Sequence, residues 1–254
     1  MPSALACGAR SGKVRRLLDD RYRVGSPTTT TAAPGPRRPT PRRRGPVALS
    51  TSPDPVHDYW NHNTHYHDVV LSAVPRGCRA ALDVGCGDGL LVRRLAPRAE
   101  HVTGIDASAE MIARARELNA GVDNVEFVEA DFLEHDVPRE HFDFVCSVAA
   151  IHHMDFTAGL TKMRDALRPG GSLAVISLAS NGGVADLLYG AAGLPAHYFH
   201  RWRNRRRVGN PGAPIVDPSM TWAQVRDEAL RLLPGARFRR HALWRYSIVW
   251  RKPR

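Results

Sequence analysis

Apolar and polar residues along this chain keep two alternating periods. Short apolar runs at 80–84, 101–105, 125–129, 142–148 and 173–179 have the length of strands. Between them, at 65–73, 90–96, 108–119 and 157–167, apolar residues recur every three or four positions, which predicts helices. Ser108 is the expected N-cap of its helix, with Glu110 in the first turn. Strands and helices alternating through short connections predict an α/β fold, a doubly wound and mostly parallel sheet covered on both faces. Past the fifth strand the pattern loosens. Asn181-Gly182-Gly183 marks a turn, 184–203 reads as a helical, aromatic insertion, and Thr221 caps a helix near 222–232. The segments 236–243 and 245–250 then alternate as two strands, predicting a C-terminal antiparallel hairpin.

Residues 1–52 have another texture. The run Thr28–Thr31 and the stretch Pro34–Arg44 are Pro-, Thr- and Arg-rich and cannot bury a core, so a disordered basic tail is expected. One domain should follow over 53–254, with an insertion at about 181–220. No apolar run approaches the roughly 18 residues that a membrane span needs, so a soluble cytoplasmic protein without a membrane partner is expected. Cys7, Cys78, Cys86 and Cys146 show no ligand spacing and read as free thiols.

Charge is divided unevenly. The formal net charge of +11 is distributed as +9 over residues 1–50, −9 over 51–200 and +11 over 201–254. The body is acidic and its two ends are basic. Such ends could meet nucleic acid, an anionic surface or an acidic substrate, or could simply be solvated.

The chemistry concentrates in Asp83-Val84-Gly85-Cys86-Gly87-Asp88-Gly89, which lies between the first strand and a helix. Strand, glycine turn and helix bring backbone close to a nucleotide-like ligand. About twenty residues past Gly85 the second strand ends in Asp106, where a carboxylate can accept both hydroxyls of a ribose. A dinucleotide and S-adenosylmethionine both fit that outline. A pyrophosphate wants unopposed N–H groups, and Asp83 and Asp88 would repel it. S-adenosylmethionine carries no phosphate and two positive groups. The spacing GxGxG, rather than GxGxxG, agrees with it.

On these residues the chain resembles the class I S-adenosylmethionine-dependent methyltransferases, in the group acting mostly on small molecules. The resemblance covers roughly residues 56–179 and implies S-adenosylmethionine as cofactor. It implies that Gly85, Cys86, Gly87 and Gly89 line the methionine part, with Asp83 close by, and that Asp106 and Ala107 hold the ribose. Asp131 would meet the adenine amino group with Phe132 against the ring, and the end of the fourth strand, at Ser147, would face the sulfonium. Leu167-Arg168-Pro169-Gly170-Gly171 resembles the turn before the family's fifth strand. An aromatic N-terminal lid is also implied, which would make Tyr59, Trp60 and Tyr66 water-excluding residues over the site.

Three clusters stay open as candidates. His57, His62, His65 and His67 invite a metal reading, but no nearby Cys or Glu completes a ligand set and none is expected. His152 and His153, after the fourth strand, are candidate bases, with pocket lining as the alternative. Arg201 and Arg203, with Arg205, Arg206, Arg207 and Trp202, could clamp an anionic group from the substrate roof. The expected function is methyl transfer to an O, N or C atom of a small acceptor, acidic or not. The alternatives are a nucleic-acid or protein methyltransferase docking through its basic segments, and a non-enzymatic S-adenosylmethionine-binding protein.

Overall fold

A computed structural model describes residues 58–205, 207–209 and 217–254; the expected tail, His57, Cys7 and Arg206 lie outside them. Seven strands of the described residues form one sheet: β1 (Cys78–Val84), β2 (Ala99–Asp106), β3 (Val125–Glu129), β4 (Phe142–Val148), β5 (Leu167–Ser177), β6 (Arg237–His241) and β7 (Arg245–Arg251). Their order is β3-β2-β1-β4-β5-β7-β6. The first five are parallel, and β7 runs antiparallel between β5 and β6. Strand order reverses between β1 and β4, which opens a crevice beyond the strands' carboxyl ends at that point.

Among the described residues seven α-helices accompany the sheet: α1 (His67–Ser72), α2 (Leu90–Leu95), α3 (Ala109–Leu118), α4 (Phe156–Ala166), α5 (Val184–Ala192), α6 (Leu194–Arg203) and α7 (Trp222–Leu232). The period-two pleat divides the apolar side chains into two cores. Leu82, Val84, Leu173 and Val175 pack with Leu160 and Met163 of α4 and Val225 of α7. Ala81, Phe144, Ala174 and Ile176 pack on the other side with Val70 of α1, Leu91 of α2 and Ile112 of α3. Two helix starts follow the expected caps: Ser108 accepts from Met111 N–H, and Thr221 forms a capping box with Gln224. Asp155 caps α4 as well, accepting from Ala158 N–H.

Three expectations shift. The helix expected over 65–73 begins as a 3-10 turn, Thr64–Tyr66, before α1. The insertion breaks into α5 and α6 at Gly193, because Pro195 opens α6 and a Cβ on Gly193 would stand 2.3 Å from the Ala242 carbonyl oxygen. The Leu167–Gly171 turn is already part of β5, where pairing with β4 jumps from Phe142↔Leu167 to Phe144↔Ser172. Pro169 has no N–H to give a regular ladder and Gly170 takes φ 80°, so this segment bulges rather than turns.

Candidate active site

The loop after β1 owes its path to glycine. Gly85, Gly87 and Gly89 have φ of 72°, 54° and 76°, a region costly for any residue with a Cβ. Two of these positions are also closed by neighbours. A Cβ on Gly85 would lie 2.0 Å from that of Ala150, after β4, and one on Gly89 would lie 2.8 Å from the Phe127 ring. Gly87 differs, since a Cβ there would meet nothing within 4 Å. Its positive φ holds bare backbone against open space, which is room for a ligand.

Most of the loop's N–H groups are committed inside the protein. Gly85 and Cys86 donate to the Ile105 carbonyl at 2.8 and 3.1 Å, and Gly89 to that of Cys86 at 3.1 Å. Gly87 donates to Asp106 Oδ2 at 2.9 Å, and Leu90 to Asp88 Oδ1 at 3.4 Å. A pyrophosphate would find few free donors and no positive surface, with Asp83 and Asp88 both buried beneath it. A phosphate-free, cationic ligand fits this loop.

Asp106 ends β2 with its carboxylate half-buried, and its Oδ1 accepts Ser108 N–H at 2.9 Å. Each carboxylate oxygen keeps a further lone pair for a hydroxyl. Ala107 beside it is exposed. Asp83 sits on β1 with Cys146 Sγ donating to its Oδ1 at 3.4 Å. Burial, with the Asp106 charge adding to it, pushes the Asp83 carboxyl up to about 7. Cys86 is buried beneath the loop, its thiol raised by burial and the three nearby carboxylates. On β4, Ser147 is fully buried and its hydroxyl finds no partner among the described residues. Asp131 is exposed beyond β3. Phe132 turns inward instead, 4% exposed in the core with Lys162 Nζ 5.4 Å over its ring. An adenine there would meet little of that ring.

The chain after β4 carries a left-handed non-glycine residue, Ala149 at φ 55°, and Ala149 N–H extends the ladder to Ile176. This turn delivers Ala150 against Gly85 and sets His152 over the end of β5. His152 Nδ1 is 3.0 Å from Ser177 Oγ. Burial, helped by His153 and Arg245, lowers the His152 pKa to about 4, so the ring is neutral at pH 7. His153 is exposed, its ring 4.2 Å from that of His152.

The segment before α1 reaches the glycine loop through Tyr59. Tyr59 OH donates to Asp88 Oδ1 at 3.3 Å, and burial followed by that carboxylate raises the phenol above its ordinary range, keeping it protonated. Trp60 N–H donates to the Arg207 carbonyl at 2.6 Å, and its ring stacks on His200 of α6. His62 Nε2 and His197 Nδ1 are 2.8 Å apart. Asp58, Arg94 and the buried His67 form a further tie to α2. Tyr66 departs from the lid role. It is buried, and its hydroxyl accepts Leu243 N–H at 3.1 Å, so it fastens α1 to the β6–β7 turn. Arg201, Arg203, Arg205 and Arg207 are exposed, and none has a carboxylate partner among the described residues.

Not legible in the sequence were Asp88 as the partner of Tyr59, Ser177 as the partner of His152, and the His62–His197 and Trp60–His200 contacts. Each joins residues far apart in the chain, and none leaves a local signal.

A profile for a methyltransferase domain matches residues 81–171. An uncharacterized methyltransferase of Mycobacterium tuberculosis is 34% identical over 199 residues, covering 76% of this chain and 98% of its own length. The tRNA U34 carboxymethyltransferase of Shewanella pealeana is 31% identical over 192 residues, 74% of this chain and 54% of its own. Phosphoethanolamine N-methyltransferase 2 of Haemonchus contortus has been solved with phosphomonomethylethanolamine and S-adenosylhomocysteine. It shares the fold with a TM-score of 0.54 at 16% identity, over 75% of this chain and 53% of that one.

Proposed function

The chain belongs to the class I S-adenosylmethionine-dependent methyltransferases, and from that premise we propose that it methylates a small molecule held between Tyr59 and His152. When bound, S-adenosylmethionine supplies a methyl carbon already activated by a sulfonium. The residues of the chain have the remaining tasks. Asp106 accepts the ribose hydroxyls, while the bare backbone of Gly87 leaves room for the methionine part. Asp131 waits at the edge where the adenine would lie. Asp83, poised near neutrality by burial, favours a cation beside it. Holding the acceptor in line with the methyl supplies about 7–11 kcal/mol of such a barrier.

The observation that carries this reading is the Tyr59–Asp88 hydrogen bond. It draws the lid onto the glycine loop and makes a covered site that excludes water from the transfer. A neutral His152 with a pKa of about 4 is a weak base. Its task is to hydrogen-bond the acceptor, whose nucleophile is an amine, carboxylate or other group that needs no strong base.

Transfer to RNA is the second reading, favoured by the unpaired arginines and by the tRNA-modifying relative. A methylation assay reading S-adenosylhomocysteine release separates the two, run with a panel of small amines, carboxylates and hydroxyl compounds and with bulk tRNA. Turnover on a small compound that changes little between 50 and 200 mM salt is expected. Turnover on tRNA alone, falling steeply with salt, would overturn the proposal.

A further inference from the structure

The insertion helices are built the wrong way out for water. Neither α5 nor α6 has a buried residue. Along α5, Val184, Leu187 and Leu188 recur at helical spacing on one face and are 63–74% exposed. Its opposite face is the one that packs. Asp186 pairs with Arg240, Tyr189 lies against the Arg240 guanidinium, and the Gly190 carbonyl accepts from Trp244 Nε1. Helix α6 repeats the inversion. Gly193, Ala196, His197 and His200 turn inward, while Tyr198, Phe199 and Trp202 are 54–67% exposed. Two consecutive helices therefore keep polar and small residues inside and present large apolar ones outside. A surface of this extent marks an interaction site.

We propose that this face docks the enzyme on an anionic lipid surface. The occupant is argued from charge. Arg201, Arg203, Arg205 and Arg207 border Trp202 at the end of α6, and none is neutralised by a carboxylate among the described residues. Apolar and aromatic side chains rimmed by arginine match the acyl boundary and phosphate level of an anionic membrane. A second copy fits less well, because a two-fold contact would bring this face against itself and one arginine cluster near the other. RNA fits less well too, since phosphates give Leu187 and Leu188 nothing to bury against. The helices have 9 and 10 residues and are about 14–15 Å long, so they lie in the headgroup boundary rather than cross it. No helix among the described residues is long and apolar enough to span a membrane. The docked face is one contact from the lid, through His62–His197 and Trp60–His200.

Co-sedimentation of the full chain with phosphatidylglycerol vesicles, against phosphatidylcholine vesicles, tests the proposal. Binding to the anionic vesicles alone is expected. Leu187→Asp/Leu188→Asp should lower it at least tenfold, with S-adenosylhomocysteine affinity unchanged as the sign of an intact fold. Each arginine of the cluster replaced by Gln should lower it about fivefold. Equal binding to both vesicle types, or none to either, would overturn the proposal. Undiminished binding by the double-Asp variant would do so as well, since the arginines alone would then hold the anion. A dimer in solution that dissociates in that variant would assign the face to a second copy instead.

Discussion

Gly85 and Gly87 stand two residues apart, share a left-handed backbone and should respond to alanine in opposite ways. At Gly87 the new methyl meets nothing within 4 Å, so the fold bears only the left-handed φ of 54°, about 1–2 kcal/mol. For a domain of this size that is a fall of about 2–8 °C in Tm. The same methyl would stand in the space assigned to the methionine part of the cofactor. Overpacking costs about 1–3 kcal/mol, so the Kd for S-adenosylhomocysteine should rise about five- to 150-fold. At Gly85 the order reverses. The Cβ would overlap that of Ala150 at 2.0 Å, adding about 1–3 kcal/mol to the φ cost, so stability should fall further than in Gly87→Ala. Adding Ala150→Gly should return the clash portion and leave the backbone portion, a coupling that a double-mutant cycle reads directly. Calorimetric titration with S-adenosylhomocysteine and thermal melts of the wild type, Gly87→Ala, Gly85→Ala, Ala150→Gly and the Gly85→Ala/Ala150→Gly double variant measure both axes. Gly87→Ala binding with the wild-type Kd would refute the reasoning, because the open space beside Gly87 would then not be the ligand's.

Asp106→Asn should weaken S-adenosylhomocysteine at least tenfold by calorimetry, and it should also lower Tm. The carboxylate holds Gly87 and Ser108 N–H as well as the expected ribose, and an amide can accept from only one side. An unchanged Kd would remove Asp106 from the ribose. Acid should unfold the protein partly through His67, whose folded pKa burial lowers to about 3. Below about pH 6.5 the unfolded chain binds a proton there that the folded chain refuses until about pH 3, so stability falls as pH falls, by up to about 1.4 kcal/mol per pH unit. Urea titrations between pH 7 and 4 should show a shallower decline in His67→Gln than in the wild type; parallel declines would contradict the assignment.

Legibility followed how local each cause is. The five parallel strands, the Ser108 and Thr221 caps and the C-terminal hairpin were readable, since runs, periods and cap residues are neighbours in sequence. The Leu167–Gly171 bulge was not, because whether a Pro-Gly segment turns or bulges depends on what β4 and Lys252 offer it across space. Spacing along the chain also made legible that the glycine loop and Asp106 lie together, which the Gly87–Asp106 hydrogen bond shows. Phe132 and Tyr66 were not legible, since an aromatic beside a site reads the same whether it lines the pocket or fills the core. The apolar stripe of α5 is visible in the sequence, but its period says only that one face is apolar. That this face turns outward follows from Asp186, Tyr189 and Gly190 meeting Arg240 and Trp244, residues some fifty positions away in the chain.

The acidic glycine loop, most of its N–H groups already used within the protein, should take S-adenosylmethionine and refuse a dinucleotide. Calorimetric titration of the purified chain with S-adenosylhomocysteine and, separately, with NAD tests it most directly. The account predicts saturable heat with S-adenosylhomocysteine and none with NAD. Binding of NAD, with no heat from S-adenosylhomocysteine, would contradict it.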